Sequence, residues 1–128
     1  MTFSLSSKSL KKLEGVHPDL VRVVKKAITV TRVDFTILEG LRTEERQREL
    51  FAAGSSATMN SRHLTGHAVD LGAWVGGELR WDWPLYDQLG NAMKMAALEE
   101  GVDVEWGGDW KSFRDGPHFQ LSWKEYPA

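Results

Sequence analysis

The segment Ser61-Arg62-His63-Leu64-Thr65-Gly66-His67-Ala68-Val69-Asp70 constrains this chain more than any other. It sets two of the four histidines and a carboxylate within ten residues. Neutral imidazole and carboxylate are what a borderline-soft cation such as zinc selects. For His63 and Asp70 to meet, the backbone must change course between them, because a spacing of seven puts two residues on opposite faces of a straight strand. A turn at Thr65-Gly66 resets that parity, and the strand proper starts after it. On that strand Ala68 and Asp70 share one face, while His67, Val69 and Leu71 share the other. His67 then points away from Asp70. The alternative pairs His63 with His67 on a helix, as in HExxH, but His-Leu-Thr-Gly-His lacks the glutamate and carries a helix-weakening glycine.

The chain has no cysteine, so any transition-metal site must be built from His, Asp and Glu. A third ligand of the right kind stands in Asp115-Gly116-Pro117-His118. If Phe119 and Leu121 form the core face of a last strand, His118 and Gln120 turn toward a cleft. Asp115, three residues earlier across the Gly-Pro turn, is then beside a metal without coordinating it. His63, Asp70 and His118 make three ligands and leave the open fourth position of a catalytic zinc. Such an ion lowers the pKa of bound water to near ~7 and polarises a carbonyl, and Asp115 is the candidate general base. A metal-free hydrolase using Ser61 with a histidine is the competing chemistry.

The periodicities around these segments predict an α+β domain with a mainly antiparallel sheet and flanking helices. Residues 1–16 read as a loop or one short helical turn. His17-Pro18 starts a helix running to Thr31, with Leu20, Val23, Val24, Ala27 and Ile28 on one face. Val33 to Leu38 alternates as a strand, and Thr43 caps a helix that ends at Gly54. Residues 55–62 read as a loop, 68–74 as a buried strand, and Gly76-Gly77 as a hairpin turn into 78–83. Pro84 opens the longest helix, closed by Gly101, and strands follow at 102–106 and 118–123.

At 128 residues a single domain, 1–128, is expected. No apolar run of about 18 residues exists, so no membrane span is expected. The first 16 residues lack an apolar core of the signal-peptide kind. The net charge of −2 argues against general nucleic-acid binding. Basic side chains outnumber acidic ones only in the first 50 residues. That is either ordinary surface variation or a basic half facing an anionic polymer.

The segment 61–70 also fits the SxHxxGxAxD signature of the zinc D-Ala-D-Ala carboxypeptidases, and Asp115-Gly116-Pro117-His118 fits their paired Asp/Glu-x-x-His signature. Phe35-Thr36-Ile37 leading to Gly40-Leu41-Arg42-Thr43, and Trp106-Gly107-Gly108-Asp109-Trp110, resemble one branch, the phage endolysin-type L-alanyl-D-glutamate endopeptidases. The resemblance spans roughly Leu20 to Trp123. It implies the small zinc-peptidase fold shared with the hedgehog signalling domain, one zinc ion on His63, Asp70 and His118, and Asp115 as base. It implies a peptidoglycan stem peptide as substrate, cut at the L-Ala–D-Glu bond. A D,D- or L,D-carboxypeptidase and a non-catalytic zinc-stabilised binding module are the alternatives. Arg42 is similar to the family's arginine at the substrate-binding edge, where its fork suits a carboxylate. The other reading of Arg42 is a surface residue beside Glu44 and Glu45. Ser61 either bonds substrate or braces the loop, and Trp106 and Trp110 are expected near substrate. Asp109 either supports a histidine or only forms a turn. Gln120 departs from the Glu that relatives often carry. The implied setting is a monomeric lysin made in the cytoplasm and reaching the periplasmic wall through a holin.

Overall fold

The computed structural model describes residues 2–56 and 61–127. The predicted loop over 55–62 therefore lies partly outside the described residues. Among the described residues there are four α-helices and five strands, and from Pro18 onward they follow the order expected. Helix α1, Ser7–Lys12, is longer than a single turn, and the Ser6 side chain caps it by accepting from the Ser9 N–H. Helix α2, Pro18–Val30, has Pro18 in its first turn and buries Leu20, Val23, Val24, Ala27 and Ile28, the face its periodicity marks. Strand β1 is Phe35–Glu39. Thr43 caps α3, Glu44–Ala52, of which only Gln47 is buried. Strand β2, Ala68–Val75, turns at Gly76-Gly77 into β3, Glu78–Arg80. That strand is shorter than predicted, because α4, Trp83–Glu100, already begins directly after Asp82. Gly101, in the left-handed region at φ 68°, ends α4. Strands β4, Val104–Trp106, and β5, His118–Leu121, complete the chain.

The sheet has the order β1-β2-β5-β4, with β3 also beside β2, and every pair is antiparallel. Its two faces have separate tasks. Phe35, Ile37, Val69, Leu71, Ala73, Phe119 and Leu121 point into one hydrophobic cluster with the apolar sides of α2 and α4. Strand alternation puts Asp70, His118, Gln120 and Glu105 on the other face. The register sets Asp70 opposite His118 and Glu105 opposite Gln120. Tyr86 of α4 ties the helix to the hairpin: its hydroxyl donates to Arg80 O at 2.8 Å and accepts from Ala73 N–H at 3.1 Å. No helix among the described residues is long and apolar enough to cross a membrane.

Candidate metal centre

The parity break inferred between His63 and Asp70 is a turn of 3-10 helix, Arg62–Thr65, closed by Gly66 at φ 73°. A Cβ at Gly66 would lie 2.4 Å from Gly15 O, so glycine is required there by space as well as by backbone. Ser61 caps this turn, its hydroxyl accepting from His63 N–H at 3.2 Å. That is the bracing role; Ser61 also lines the cleft. The turn holds His63 almost fully buried over the open sheet face. There the His63 Nε2 lies 3.2 Å from Asp70 Oδ1, and His118 Nδ1 lies 3.1 Å from the same oxygen. The two imidazoles meet edge-on, 5.1 Å between centroids. His63, Asp70 and His118 are the group among the described residues that can hold a metal, with ligand atoms within 4.8 Å of one another.

The outer hydrogen bonds decide which ring nitrogens face inward. His63 Nδ1 is 2.8 Å from Gly40 O, which can only accept, so Nδ1 carries the proton. A Cβ on Gly40 would strike Lys12 O at 2.3 Å, so the close approach that aims this carbonyl needs glycine. His118 Nε2 is 2.8 Å from Gln120 Oε1, and the Gln120 amide nitrogen faces Glu105 Oε1 at 3.4 Å. A carboxylate accepts only, which fixes the amide oxygen toward His118 and puts a proton on His118 Nε2. Gln120 thus supplies the acceptor that fixes His118. With both outer nitrogens protonated, two neutral imidazole lone pairs and a carboxylate converge with no proton between them. Such a set calls for a shared cation, and borderline N,N,O donors suit zinc. Without a cation, the same carboxylate would instead draw a proton onto the inner nitrogens. Burial opposes ionisation of Asp70, but the hydrogen bonds of His118 and His63 outweigh it and hold the carboxyl well below its usual range. Burial likewise opposes charge on His118, and Asp70 outweighs it and pushes the imidazole up.

Asp115 stands on the wall of the same cleft, a cavity of about 870 Å³ lined also by Arg42, Arg62, Trp110 and Arg114. Its backbone is fixed on both sides: its N–H donates to Gly107 O at 3.0 Å and its carbonyl accepts from His118 N–H at 3.2 Å. Desolvation first, and then the charge of Asp70, push its carboxyl above the ordinary carboxylate range, against the pull of His118, His63 and Arg42. A group so placed favours taking up a proton.

The remaining residues singled out in the sequence are distributed unevenly. Trp110 lines the cleft with its ring 5.3 Å from His118. Trp106 does not line it. It is buried, stacks on Phe119, and donates from Nε1 to Gly116 O at 2.7 Å. It supports the turn carrying Asp115 from below, outside the cleft lining. Arg42 lines the cleft but is paired with neither Glu44 nor Glu45: Nε and Nη2 form a two-pronged contact with Glu39, each at 2.7 Å, and Nη1 donates to Gln47 Oε1 at 2.6 Å. His67 lies outside the triad, its Nδ1 2.6 Å from Thr65 Oγ1 and its ring beside His17. Asp109 pairs with Lys94 at 2.7 Å on the surface and touches no histidine.

Sequence reasoning missed Arg62, Glu105 and Arg114. Arg62 is buried, lies 3.9 Å over the Trp123 ring, and gives Nη2 to the carbonyls of Leu121, Ser122 and Tyr126. Its Nε and Nη1 have no hydrogen-bond partner among the described residues. Only its place next to His63 could have drawn attention to it. Arg114 likewise stood next to Asp115.

An open sheet face carrying His, Asp and His, with a second carboxylate on the cleft wall, defines a candidate metallohydrolase centre. Comparison with known proteins narrows this. The family described as phage L-alanyl-D-glutamate peptidase matches residues 1–121. The crystal structure of the Serratia marcescens L-Ala D-Glu endopeptidase ChiX superposes with a TM-score of 0.92 at 52% identity, over 98% of this chain and 95% of that one. The L-alanyl-D-glutamate peptidase of Escherichia phage T5 is 31% identical over 119 residues, 90% of this chain and 87% of that protein. The peptidoglycan L-alanyl-D-glutamate endopeptidase CwlK of Bacillus subtilis is 30% identical over 112 residues, 77% of this chain and 66% of that protein. The chain belongs to the phage L-alanyl-D-glutamate peptidase family.

Proposed function

We propose that this protein is a zinc-dependent endopeptidase that hydrolyses the L-Ala–D-Glu bond of peptidoglycan stem peptides, working as one catalytic domain. The observation that carries the metal reading is the convergence of two imidazole lone pairs and the Asp70 carboxylate, locked by Gly40 O and Gln120 Oε1. The family and the names of its members support the bond. His63, Asp70 and His118 would hold one zinc ion, which supplies Lewis acidity and an acidified water at neutral pH.

The chain's own groups do the rest. Asp115, its carboxyl pushed upward by desolvation and by Asp70, accepts the proton of the attacking water and returns it to the leaving amine. Trp110 walls the cleft beside His118 and limits water around the scissile bond. Arg42, locked to Glu39, balances that carboxylate at the cleft edge, and Ser61 holds the ligand-bearing turn. The biological setting we infer is a phage-type lysin, acting as a monomer on the periplasmic cell wall after holin-dependent release.

Digestion of purified peptidoglycan with and without a chelator, followed by mass spectrometry of the new termini, tests this reading. New L-Ala carboxyl and D-Glu amino termini, abolished by zinc removal and restored by zinc, are expected. Release of free terminal D-Ala would replace it with a carboxypeptidase, and cleavage indifferent to thorough zinc removal would overturn the metal mechanism.

A further inference from the structure

Three arginines line the cleft among the described residues, and they differ in what they have left to give. Arg42 is 8% exposed at its side chain and commits its fork to Glu39. Arg62 is buried: its Nη2 gathers main-chain carbonyls of the C-terminal turn, and its Nε and Nη1, without partners among the described residues, are shut off from solvent and so from a ligand in the cleft. Arg114 is exposed. Its Nε donates to Gly108 O at 2.8 Å, and its guanidinium lies 4.3 Å over the ring of Trp83. These contacts fix the plane of the fork from behind and from one side. Its two terminal nitrogens have no hydrogen-bond or ion-pair partner among the described residues. A planar cation held in this way, with its outer edge free, is suited to receive a carboxylate in two-pronged fashion.

We propose that Arg114, and not Arg42, receives the carboxylate that the glutamyl residue of the substrate carries next to the scissile bond. This rests on the endopeptidase reading above. A glutamyl residue has two carboxyl groups, and chain extension uses one, so a free charge stays within a few bonds of the scissile nitrogen. Asp115 must reach that nitrogen to return a proton, and Arg114 is its neighbour in the chain. The cleft lining otherwise brings Glu39, Asp70 and Asp115 toward an anionic substrate. Arg42 already offsets Glu39, so a further cation is needed to favour an acidic residue over a neutral one. Arg114 is then the residue that sets specificity on the amine side of the cut.

The test compares two synthetic stem peptides, one with the free glutamyl carboxylate and one with that group amidated to D-isoglutamine. Loss of a charge-assisted pair is expected to make wild type prefer the acid by roughly 10- to 100-fold in kcat/KM. In R114A and R114Q the acid-to-amide ratio collapses toward one, while R114K retains part of it. Reading the ratio separates recognition from any general loss of activity. A wild-type ratio near one, or a ratio unchanged in R114A and R114Q, overturns the inference and leaves the endopeptidase reading intact. Wild type cutting neither peptide removes the endopeptidase reading, and the inference falls with it.

Discussion

Replacing Gln120 by methionine removes one acceptor and little volume. Gln120 is 6% exposed, and its Oε1 accepts from His118 Nε2 at 2.8 Å. Methionine fills the space but leaves that N–H without a strong acceptor, and the imidazole loses the contact that fixes its tautomer and its angle. Loss of an outer partner of this kind typically costs 10- to 100-fold in metal affinity. At about 1.4 kcal/mol per decade, that is roughly 1.4 to 2.8 kcal/mol. It lies within the range of roughly 1–3 kcal/mol for leaving a buried donor unpaired. Competition against a chromophoric chelator measures the zinc dissociation constant directly, with no dependence on turnover. The companion variant Q120E sharpens the test. A carboxylate accepts the same proton more strongly, so zinc affinity is expected to equal or exceed wild type. Glu105 stands directly opposite in the ladder, and like charges there destabilise by up to ~1 kcal/mol. The metal-free Q120E protein should therefore melt earlier while its zinc form gains. If Q120M binds zinc as tightly as wild type, the outer hydrogen bond does not hold His118, and the tautomer argument is wrong.

Other consequences follow from the same geometry. Asp115→Asn should keep zinc affinity while kcat on purified peptidoglycan falls by roughly 10²- to 10⁴-fold, the range for a lost general base; full activity would remove Asp115 from the mechanism. Gly66→Ala forces a side chain into a left-handed residue and against Gly15 O, so urea unfolding should show a loss of about 1–3 kcal/mol or more. The Asp19 carboxyl is held below 3.8, first by the Tyr126 hydroxyl at 2.7 Å and then by Arg22. A depressed carboxylate stabilises the fold above its unfolded value and loses that contribution as pH falls through the folded one. The stability difference between wild type and Tyr126→Phe should accordingly be constant near neutral pH and shrink below about pH 3.8; a difference that grows on acidification would contradict the assignment.

The helices and the core strands were readable because their signals are local. Leu20, Val23, Val24, Ala27 and Ile28 repeat at helical spacing whatever packs against them, and Thr43 and Gly101 cap through their own backbone neighbourhoods. The candidate metal triad was readable because a turn at Gly66 and strand parity aim His63 with Asp70, and the alternation of the last strand turns His118 to the same open face. What escaped depends on register between distant segments. Glu39 and Glu44 are nearly equidistant from Arg42 in sequence, and only the end of β1 decides that Glu39 receives the fork. Trp106 and Trp110 flank one Gly-Gly pair, yet they go to opposite sides. A Cβ on Gly108 would sit 2.3 Å from the Trp106 ring, so the chain folds back over that indole and delivers only Trp110 to the cleft. The opening of Arg114 rests on Trp83, 31 positions away by number. No periodicity announces such a contact.

The buried Arg62 carries a consequence for how far this domain can be treated as a portable cassette. The family match stops at residue 121, yet Arg62, adjacent to His63 of the candidate triad, anchors to the carbonyls of Leu121, Ser122 and Tyr126 and stacks on Trp123. Trimming the protein to the matched boundary would strip a buried cation of most of its acceptors and loosen the turn that presents His63. A chimera built for lysis of other walls should therefore keep residues 122–127 and carry its targeting module beyond them, because the last turn of the chain belongs to the catalytic architecture even though it contains none of its chemistry.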